Sequence, residues 1–196
     1  MRIKKISKKL KLKISINILI MLILIFIGVF IYDKITANKQ NKELNKIASE
    51  FKQNIGNEGI LDIELNGNKI IGIIKIEKIN IEYPIIEYKN EDSLDISISR
   101  YAGPNINEIG NLCLIGHNMR NGNFFSNLYK LENEDKIELT DFKGNKVEYI
   151  VYDKYYIYPT QMESLEQNNK ENKEVTLITC NNTSEKRLVI KLENIN

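Results

Sequence analysis

The chain has 196 residues, of which 42% are hydrophobic and 28% charged, a composition typical of a folded protein and not of a disordered one. Its formal net charge of +2 hides an uneven distribution, because seven basic residues precede the first acidic one: Arg2, Lys4, Lys5, Lys8, Lys9, Lys11 and Lys13. The other 21 basic and 26 acidic residues give the rest of the chain a net charge of −5. This argues against a nucleic-acid partner, since the folded part would repel phosphates.

The first predicted element is a membrane-spanning helix over residues 14–32, a stretch of 19 residues without a charged side chain. A helix of this length spans about 28 Å, close to the roughly 30 Å of a bilayer's hydrocarbon layer. The alternative is a cleaved secretory signal, but its apolar region is usually shorter and ends at a small-residue cleavage site. The basic tail, residues 1–13, is expected to stay in the cytoplasm, which places the chain from Asp33 onward outside the cell membrane.

Residues 33–58 are predicted to form a juxtamembrane linker or helix. The segment is polar and mixed in charge, and its apolar residues recur at helical spacing: Leu44, Ile47, Ala48 and Phe51. The extracytoplasmic domain is expected to cover residues 59–196, where short runs rich in Ile, Val and Tyr alternate with Asn, Gly and Glu. This pattern favours an all-β sandwich or barrel with small helical inserts.

Seven strands are predicted in this domain, over residues 69–76, 79–86, 111–115, 136–139, 146–158, 174–179 and 188–192. Residues 141–145 join two of them and contain the Gly and Asn expected of a hairpin connection. Helices are predicted over residues 93–99 and 124–131. In the second of these, the apolar residues Phe124, Leu128 and Leu131 share one face.

The chain has two cysteines, Cys113 and Cys180. A disulfide between them is compatible with an extracytoplasmic location, although a domain of this size can bury a sufficient core without one. Cys113 lies within an apolar run, which is typical of a small buried hydrophobic residue. One histidine and two distant cysteines cannot supply the usual structural zinc ligands. Acidic pairs such as Glu91-Asp92 and Glu134-Asp135 are interpreted as solvated loops in preference to weak calcium sites, and no cofactor is expected.

The only histidine, His117, follows a predicted strand and Gly116, and any histidine-dependent chemistry must use it. A histidine where a strand ends can present its ring at the domain surface. The alternative is a hydrogen-bonded loop histidine without a chemical role.

Cys180 ends a predicted apolar strand, and Arg187 precedes the next one. If these strands form a hairpin, Cys180 and Arg187 lie near each other across its mouth. A guanidinium there would favour the thiolate and donate hydrogen bonds to an oxyanion, whereas the alternative is a core cysteine beside a solvated arginine. A thiol, a base and a fixed cation are the groups that a cysteine acyl-transferase needs.

The string Thr176-Leu177-Ile178-Thr179-Cys180, with Arg187 downstream and Gly116-His117-Asn118 upstream, resembles the sortases, which are membrane-anchored cysteine transpeptidases of Gram-positive cell surfaces. Residues 70–76, 81–85, 110–111, 124–128 and 135–137 also resemble the family. The resemblance implies a mostly β protein, an eight-stranded sortase-type β-barrel with short helices, preceded by the transmembrane helix. It implies that Cys180 is the nucleophile, His117 the acid/base and Arg187 the oxyanion and substrate stabiliser, with Thr179 adding a hydrogen bond to the substrate or oxyanion.

The same resemblance implies a reaction and its partners. The enzyme is expected to cleave a C-terminal sorting motif of secreted proteins through a thioester, and to transfer the acyl group to an amine of a peptidoglycan precursor or a pilin. It is expected in the cell membrane as a single-pass protein, with the catalytic domain outside. Two alternatives stay open: a membrane-tethered cysteine hydrolase, and a non-catalytic extracytoplasmic binding module in which Cys180 is structural.

The residues around His117 are most similar to those of class B sortases: Gly116-His117-Asn118-Met119, then Asn121-Gly122 and Phe124-Phe125. That class usually has a substantial helical insertion before the cysteine strand. Residues 159–173 have room for only one short helix, around residues 162–167.

Overall fold

The computed structural model describes residues 8–55, 63–119, 121–168, 171–180 and 185–194. The chain forms two compact units, Met1–Lys39 and Gln40–Asn196. The boundary predicted between linker and catalytic domain, at residues 58 and 59, lies outside the described residues, as do residues 1–7 of the basic tail. The domain limits therefore stay predictions.

Helix α1 comprises Lys8–Asn54. Its residues 14–32, in the first unit, are uncharged and mostly apolar, and their side chains are exposed. By length and composition, α1 is the one described helix that qualifies as a candidate membrane span.

The C-terminal part of α1 belongs to the second unit and contributes to its core. Leu44, Ala48 and Phe51 are buried there, and their spacing of three and four residues places them on one face of the helix. Lys52 forms an ion pair with Glu82 on the barrel.

The second unit is a closed β-barrel, which confirms the predicted fold class. Its strands are β1 (Glu64–Leu65), β2 (Asn68–Ile76), β3 (Ile81–Glu87), β4 (Ile98–Ala102), β5 (Gly110–Ile115), β6 (Lys136–Asp141), β7 (Lys146–Ile157), β8 (Lys173–Cys180) and β9 (Arg187–Asn194). They are hydrogen-bonded in the order β1-β2-β3-β4-β5-β8-β9-β7-β6, and the pairing of β2 with β6 closes the barrel. Since β1 has only two residues, the barrel itself has eight strands, β2 to β9.

The register of three neighbouring strands decides where the candidate site lies. β5 and β8 are parallel, with Ile115 opposite Ile178, and β8 and β9 are antiparallel, with Cys180 opposite Arg187. Because parallel strands end at the same edge, the ends of β5 and β8 and the start of β9 meet at one rim of the barrel.

Alternate residues of these three strands fill the barrel interior: Leu112, Leu114, Val175, Leu177, Leu188, Ile190 and Leu192. The residues that alternate with them along the strands, including Cys180 and Arg187 at the strand ends, face outward. Ile178 and Val189 also face outward but are buried, so both faces of these strands are covered. This explains their nearly continuous apolar sequences.

Each of the seven predicted strands is present, and the structure adds β1 and β4. β4 was missed because its sequence overlaps the helix predicted over residues 93–99. The helix that forms, α2 (Asp92–Ile96), ends earlier, and Ser97 is already extended, with φ −164°. The buried Ser97 hydroxyl donates to the Pro84 carbonyl at 2.5 Å, which fixes the chain in the extended course that continues into β4.

The helix predicted over residues 124–131 is wrong except for one 3-10 turn, Leu128–Lys130. Phe124 has φ +53°, which a bulky residue rarely adopts and which a right-handed helix excludes. The Ser126 hydroxyl also donates to the Met119 carbonyl at 2.9 Å, an alternative to helical hydrogen bonding. The segment is a buried loop, since Phe124, Phe125 and Leu128 are fully covered.

Candidate active site

Cys180 and Arg187 are the last residue of β8 and the first residue of β9, and they are direct neighbours in the antiparallel ladder. Arg187 Nη1 donates to Cys180 Sγ at 2.9 Å. The sequence prediction that the two residues lie across the mouth of a hairpin therefore describes the observed arrangement. The contact places a fixed positive charge and its N–H donors directly beside the sulfur atom.

His117 lies two residues beyond the end of β5 and is held near the end of β8 by backbone contacts on both sides. Gly116 N–H donates to the Ile178 carbonyl at 3.2 Å, and the Asn118 side-chain amide donates to the Cys180 carbonyl at 2.8 Å. The His117 carbonyl accepts a hydrogen bond from Phe125 N–H at 3.1 Å. These contacts tie the backbone around the histidine to the strand that carries the cysteine.

Thr179 also lies at this rim, and 4% of the residue is exposed. Its hydroxyl donates to the Gly116 carbonyl at 2.8 Å. The side chain therefore joins the cysteine strand to the residue immediately before His117.

The three predicted site residues line one cavity of about 360 Å³ together with Thr179. Most of the other lining side chains are apolar or aromatic, among them Leu94, Ile115, Ile157, Met162, Leu165 and Ile178. Tyr88 and Tyr101 pack edge to face at 5.2 Å between ring centroids on the same lining. An apolar cleft with few polar groups suits the side chains of an extended peptide.

Cys113 is separated from this cavity. It is fully buried, and burial raises the pKa of its thiol to about 11. Both described cysteines are free thiols, so the disulfide that the sequence left open does not form. Cys113 behaves as the small buried hydrophobic residue that its apolar surroundings indicated.

One contact of the histidine was missed in the sequence. Asp95, on α2, places its Oδ1 atom 3.2 Å from His117 Nε2. No motif joins two residues that are 22 positions apart, and α2 lies between two strands whose pairing the sequence did not predict. The contact depends on the barrel, because β3 and β4, on either side of α2, are parallel neighbours.

Comparisons with known proteins concern the family and the fold of the chain. A family model described as Sortase domain matches residues 74–195. Sortase A of Bacillus anthracis is 32% identical to the chain over 122 residues, which are 62% of this chain and 57% of that protein, so the match spans little more than half of that relative.

Solved sortase structures share the fold. A Clostridium perfringens Sortase D5 transpeptidase has a TM-score of 0.61 at 26% identity, over 81% of this chain and 98% of that one. A Clostridium perfringens sortase C, solved with the C-terminal cell wall sorting motif, has a TM-score of 0.59 at 22% identity, over 82% of this chain and 90% of that one. Because the sortase C is only 22% identical to this chain, its similarity supports the fold alone.

Proposed function

The chain belongs to the sortase family, whose domain model matches residues 74–195, and on this premise we propose that it is a cysteine transpeptidase acting on a C-terminal sorting motif of secreted proteins. One observation carries the proposal: Arg187 Nη1 lies 2.9 Å from Cys180 Sγ in a cavity that His117 also lines. Thiol, guanidinium and imidazole are the groups that cysteine acyl transfer requires.

In the first half of the proposed reaction, the Cys180 thiolate attacks the carbonyl carbon of the scissile peptide bond. The carbonyl oxygen becomes an oxyanion, and the Arg187 guanidinium, already placed beside the sulfur, donates hydrogen bonds to it. The tetrahedral intermediate collapses, the C–N bond breaks, and protonated His117 transfers its proton to the departing amine. The acyl group remains on Cys180 as a thioester.

In the second half, neutral His117 accepts a proton from an incoming amine, whose nitrogen attacks the thioester carbonyl. The C–S bond then breaks and Cys180 leaves as the thiolate. The acceptor amine is assigned to a peptidoglycan precursor or a pilin on family resemblance. The use of an amine in place of water is assigned on the same resemblance.

Thr179 is proposed as a supporting residue. Its hydroxyl hydrogen is used by the Gly116 carbonyl, which leaves only acceptor lone pairs. This favours a contact with a substrate N–H over a hydrogen bond donated to the oxyanion.

We further propose that residues 14–32 anchor the protein in the cell membrane as a single-pass segment. The exposed apolar side chains support this, and the basic residues of the tail support a cytoplasmic N-terminus with the catalytic domain outside. The predicted class B-like character of the residues around His117 stays part of the proposal, together with the sorting motif that the class would prefer.

The test uses the full chain in detergent micelles with a library of sorting-motif peptides, with and without candidate amines, and mass spectrometry of the products. We expect cleavage at one position and ligation to an added amine. Cys180→Ser should abolish both, while the matched variant Cys113→Ser retains them. Cleavage without ligation would favour the hydrolase, and intact peptides together with an unreactive Cys180 would favour the binding module.

A further inference from the structure

We propose that Asp95 is a positioning residue for His117, and that Gln40 on α1 holds Asp95 in place. The observation is a set of side-chain contacts that reaches the histidine from outside the catalytic strands. The inference rests on the acid/base role proposed for His117 and adds two residues to the proposed reaction.

The first contact is between the imidazole and the carboxylate, with 3.2 Å between His117 Nε2 and Asp95 Oδ1. A carboxylate oxygen at this distance attracts an N–H and repels a nitrogen lone pair, so it favours the neutral ring with its proton on Nε2. Nδ1 is then the nitrogen with a free lone pair and the one that can accept a proton during the reaction. Asp95 thereby selects one of the two tautomers and one orientation of the ring.

The second contact connects α1 with the segment that carries Asp95. The Gln40 side-chain amide donates from Nε2 to the Asp95 carbonyl at 3.3 Å. Asp95 lies in α2, a helix of only five residues that cannot be rigid by itself. A side chain that holds its backbone from a longer helix reduces the freedom of the carboxylate.

The third contact reaches the histidine loop from the same glutamine. Gln40 Oε1 accepts a hydrogen bond from Asn123 Nδ2 at 2.6 Å, and Asn123 is fully buried. The residue two positions further on, Phe125, donates its N–H to the His117 carbonyl. One glutamine therefore bonds both the segment that carries Asp95 and the loop that holds the backbone of His117.

A purely structural role for the His117–Asp95 contact is expected to be weak. The side chains of His117 and Asp95 are 36% and 68% exposed, and an exposed pair of this kind contributes little to folding stability. The same pair can still matter for catalysis, because proton transfer requires that one particular ring nitrogen points towards the reacting group. The expected signature is a change at His117 without a matching change in stability.

The chain's single histidine makes a direct test possible, because a protein labelled with ¹⁵N-histidine has one imidazole in its spectrum. The full chain is purified in detergent micelles without a histidine tag, and the imidazole nitrogens are recorded at a pH where the ring is neutral. We expect the signature of the Nε2–H tautomer. In Asp95→Ala, the difference between the two nitrogen shifts should fall towards that of free histidine.

Two matched variants control for charge and for the helix. Asp92→Ala removes the same charge from the same short helix, where Asp92 contacts Asn90, and should leave the spectrum unchanged. Gln53→Ala makes the same substitution as Gln40→Ala at an exposed position of α1 and should also have no effect. Gln40→Ala is expected to shift the spectrum in the direction of Asp95→Ala, but less.

The kinetic readout separates positioning from substrate binding. In the peptide-transfer assay, Asp95→Ala should lower kcat about fivefold with little change in KM, and Gln40→Ala should lower it about twofold. Asp95→Asn, which keeps an oxygen acceptor, should restore part of the loss. The melting temperature of Asp95→Ala should match that of Asp92→Ala.

The spectrum tests this inference independently of the reaction. An inactive wild-type chain would contradict the proposed function, whereas the contact between Asp95 and His117 would still be tested by the imidazole signals. A wild-type Nδ1–H tautomer would overturn the inference. So would an unchanged spectrum in Asp95→Ala, or equal effects of Asp95→Ala and Asp92→Ala.

Discussion

Arg187 and Cys180 face each other across the first rung of the β8–β9 ladder, with 2.9 Å between guanidinium Nη1 and sulfur Sγ. The backbone fixes the spacing, because directly opposed residues in an antiparallel pair have Cβ atoms only about 5 Å apart. The cation therefore needs no loop movement to reach the sulfur. This pair is the part of the candidate site that depends most directly on strand register.

Replacing Arg187 tests the oxyanion role. Arg187→Ala should lower kcat by about 10²–10³-fold, the usual loss when an oxyanion donor is removed, as measured in the peptide-transfer assay. Arg187→Lys should also be strongly impaired, because an ammonium lacks the planar fork of donors. Lys186→Ala removes the neighbouring cation, which lies 5.0 Å from the Tyr158 ring, and should retain activity. Equal losses in the two alanine variants would assign the effect to charge alone.

The two thiols should differ in reactivity with pH. Burial raises the pKa of Cys113 to about 11, so its thiol keeps its proton below that pH and cannot act as a thiolate at neutral pH. Native protein at neutral to mildly alkaline pH should therefore take up one equivalent of iodoacetamide, at Cys180, and unfolded protein two. Intact-mass spectrometry measures the uptake, and native Cys180→Ala should take up none. Modification of Cys113 in the native protein would contradict this prediction, because it would show that the residues packed around this thiol move apart and expose it to solvent.

Asn118 is expected to support activity through its hydrogen bond to the backbone of Cys180. Its side-chain amide donates to the Cys180 carbonyl at 2.8 Å, so Asn118→Ala removes one link between the histidine loop and β8. A lost hydrogen bond of about 1 kcal/mol corresponds to roughly a fivefold lower kcat if the link serves positioning. Asn127→Ala is the matched control, since its amide bonds the Gly122 carbonyl in the same loop. Steady-state kinetics of the two variants should differ, and equal kcat values would argue against positioning.

Barrel closure should be sensitive to a methyl group at Gly72. A Cβ there would lie 2.4 Å from the Thr140 carbonyl oxygen, in the β2–β6 pairing that closes the barrel. Because backbone cannot yield as a side chain does, Gly72→Ala should lower the free energy of unfolding by about 1–3 kcal/mol. Thermal unfolding followed by circular dichroism measures the loss. Gly28→Ala, where an added Cβ meets nothing within 4 Å, should show no loss.

Much of the architecture was predictable because alternation and apolar runs are local properties. β2, β8 and β9 each carry a run of Ile, Val or Leu long enough to reveal a strand without knowledge of its partners. β4 overlaps the helix predicted over residues 93–99, where Ser97 and Ser99 are polar in sequence although both are buried. The segment around Phe124 was misjudged because helical spacing of apolar residues does not reveal a left-handed backbone angle.

By itself, the sequence determined which residue types were available for chemistry: one histidine, one cysteine at a strand end and one arginine at the start of the next strand. It also determined the family, since those residues form a specific signature. Only the tertiary structure decided that His117 lines the same cavity as Cys180, because a parallel pairing of β5 with β8 joins residues 63 positions apart. The tertiary structure also decided the contacts of Asp95 and Gln40, because they join side chains from separate elements. No local sequence pattern encodes such a meeting.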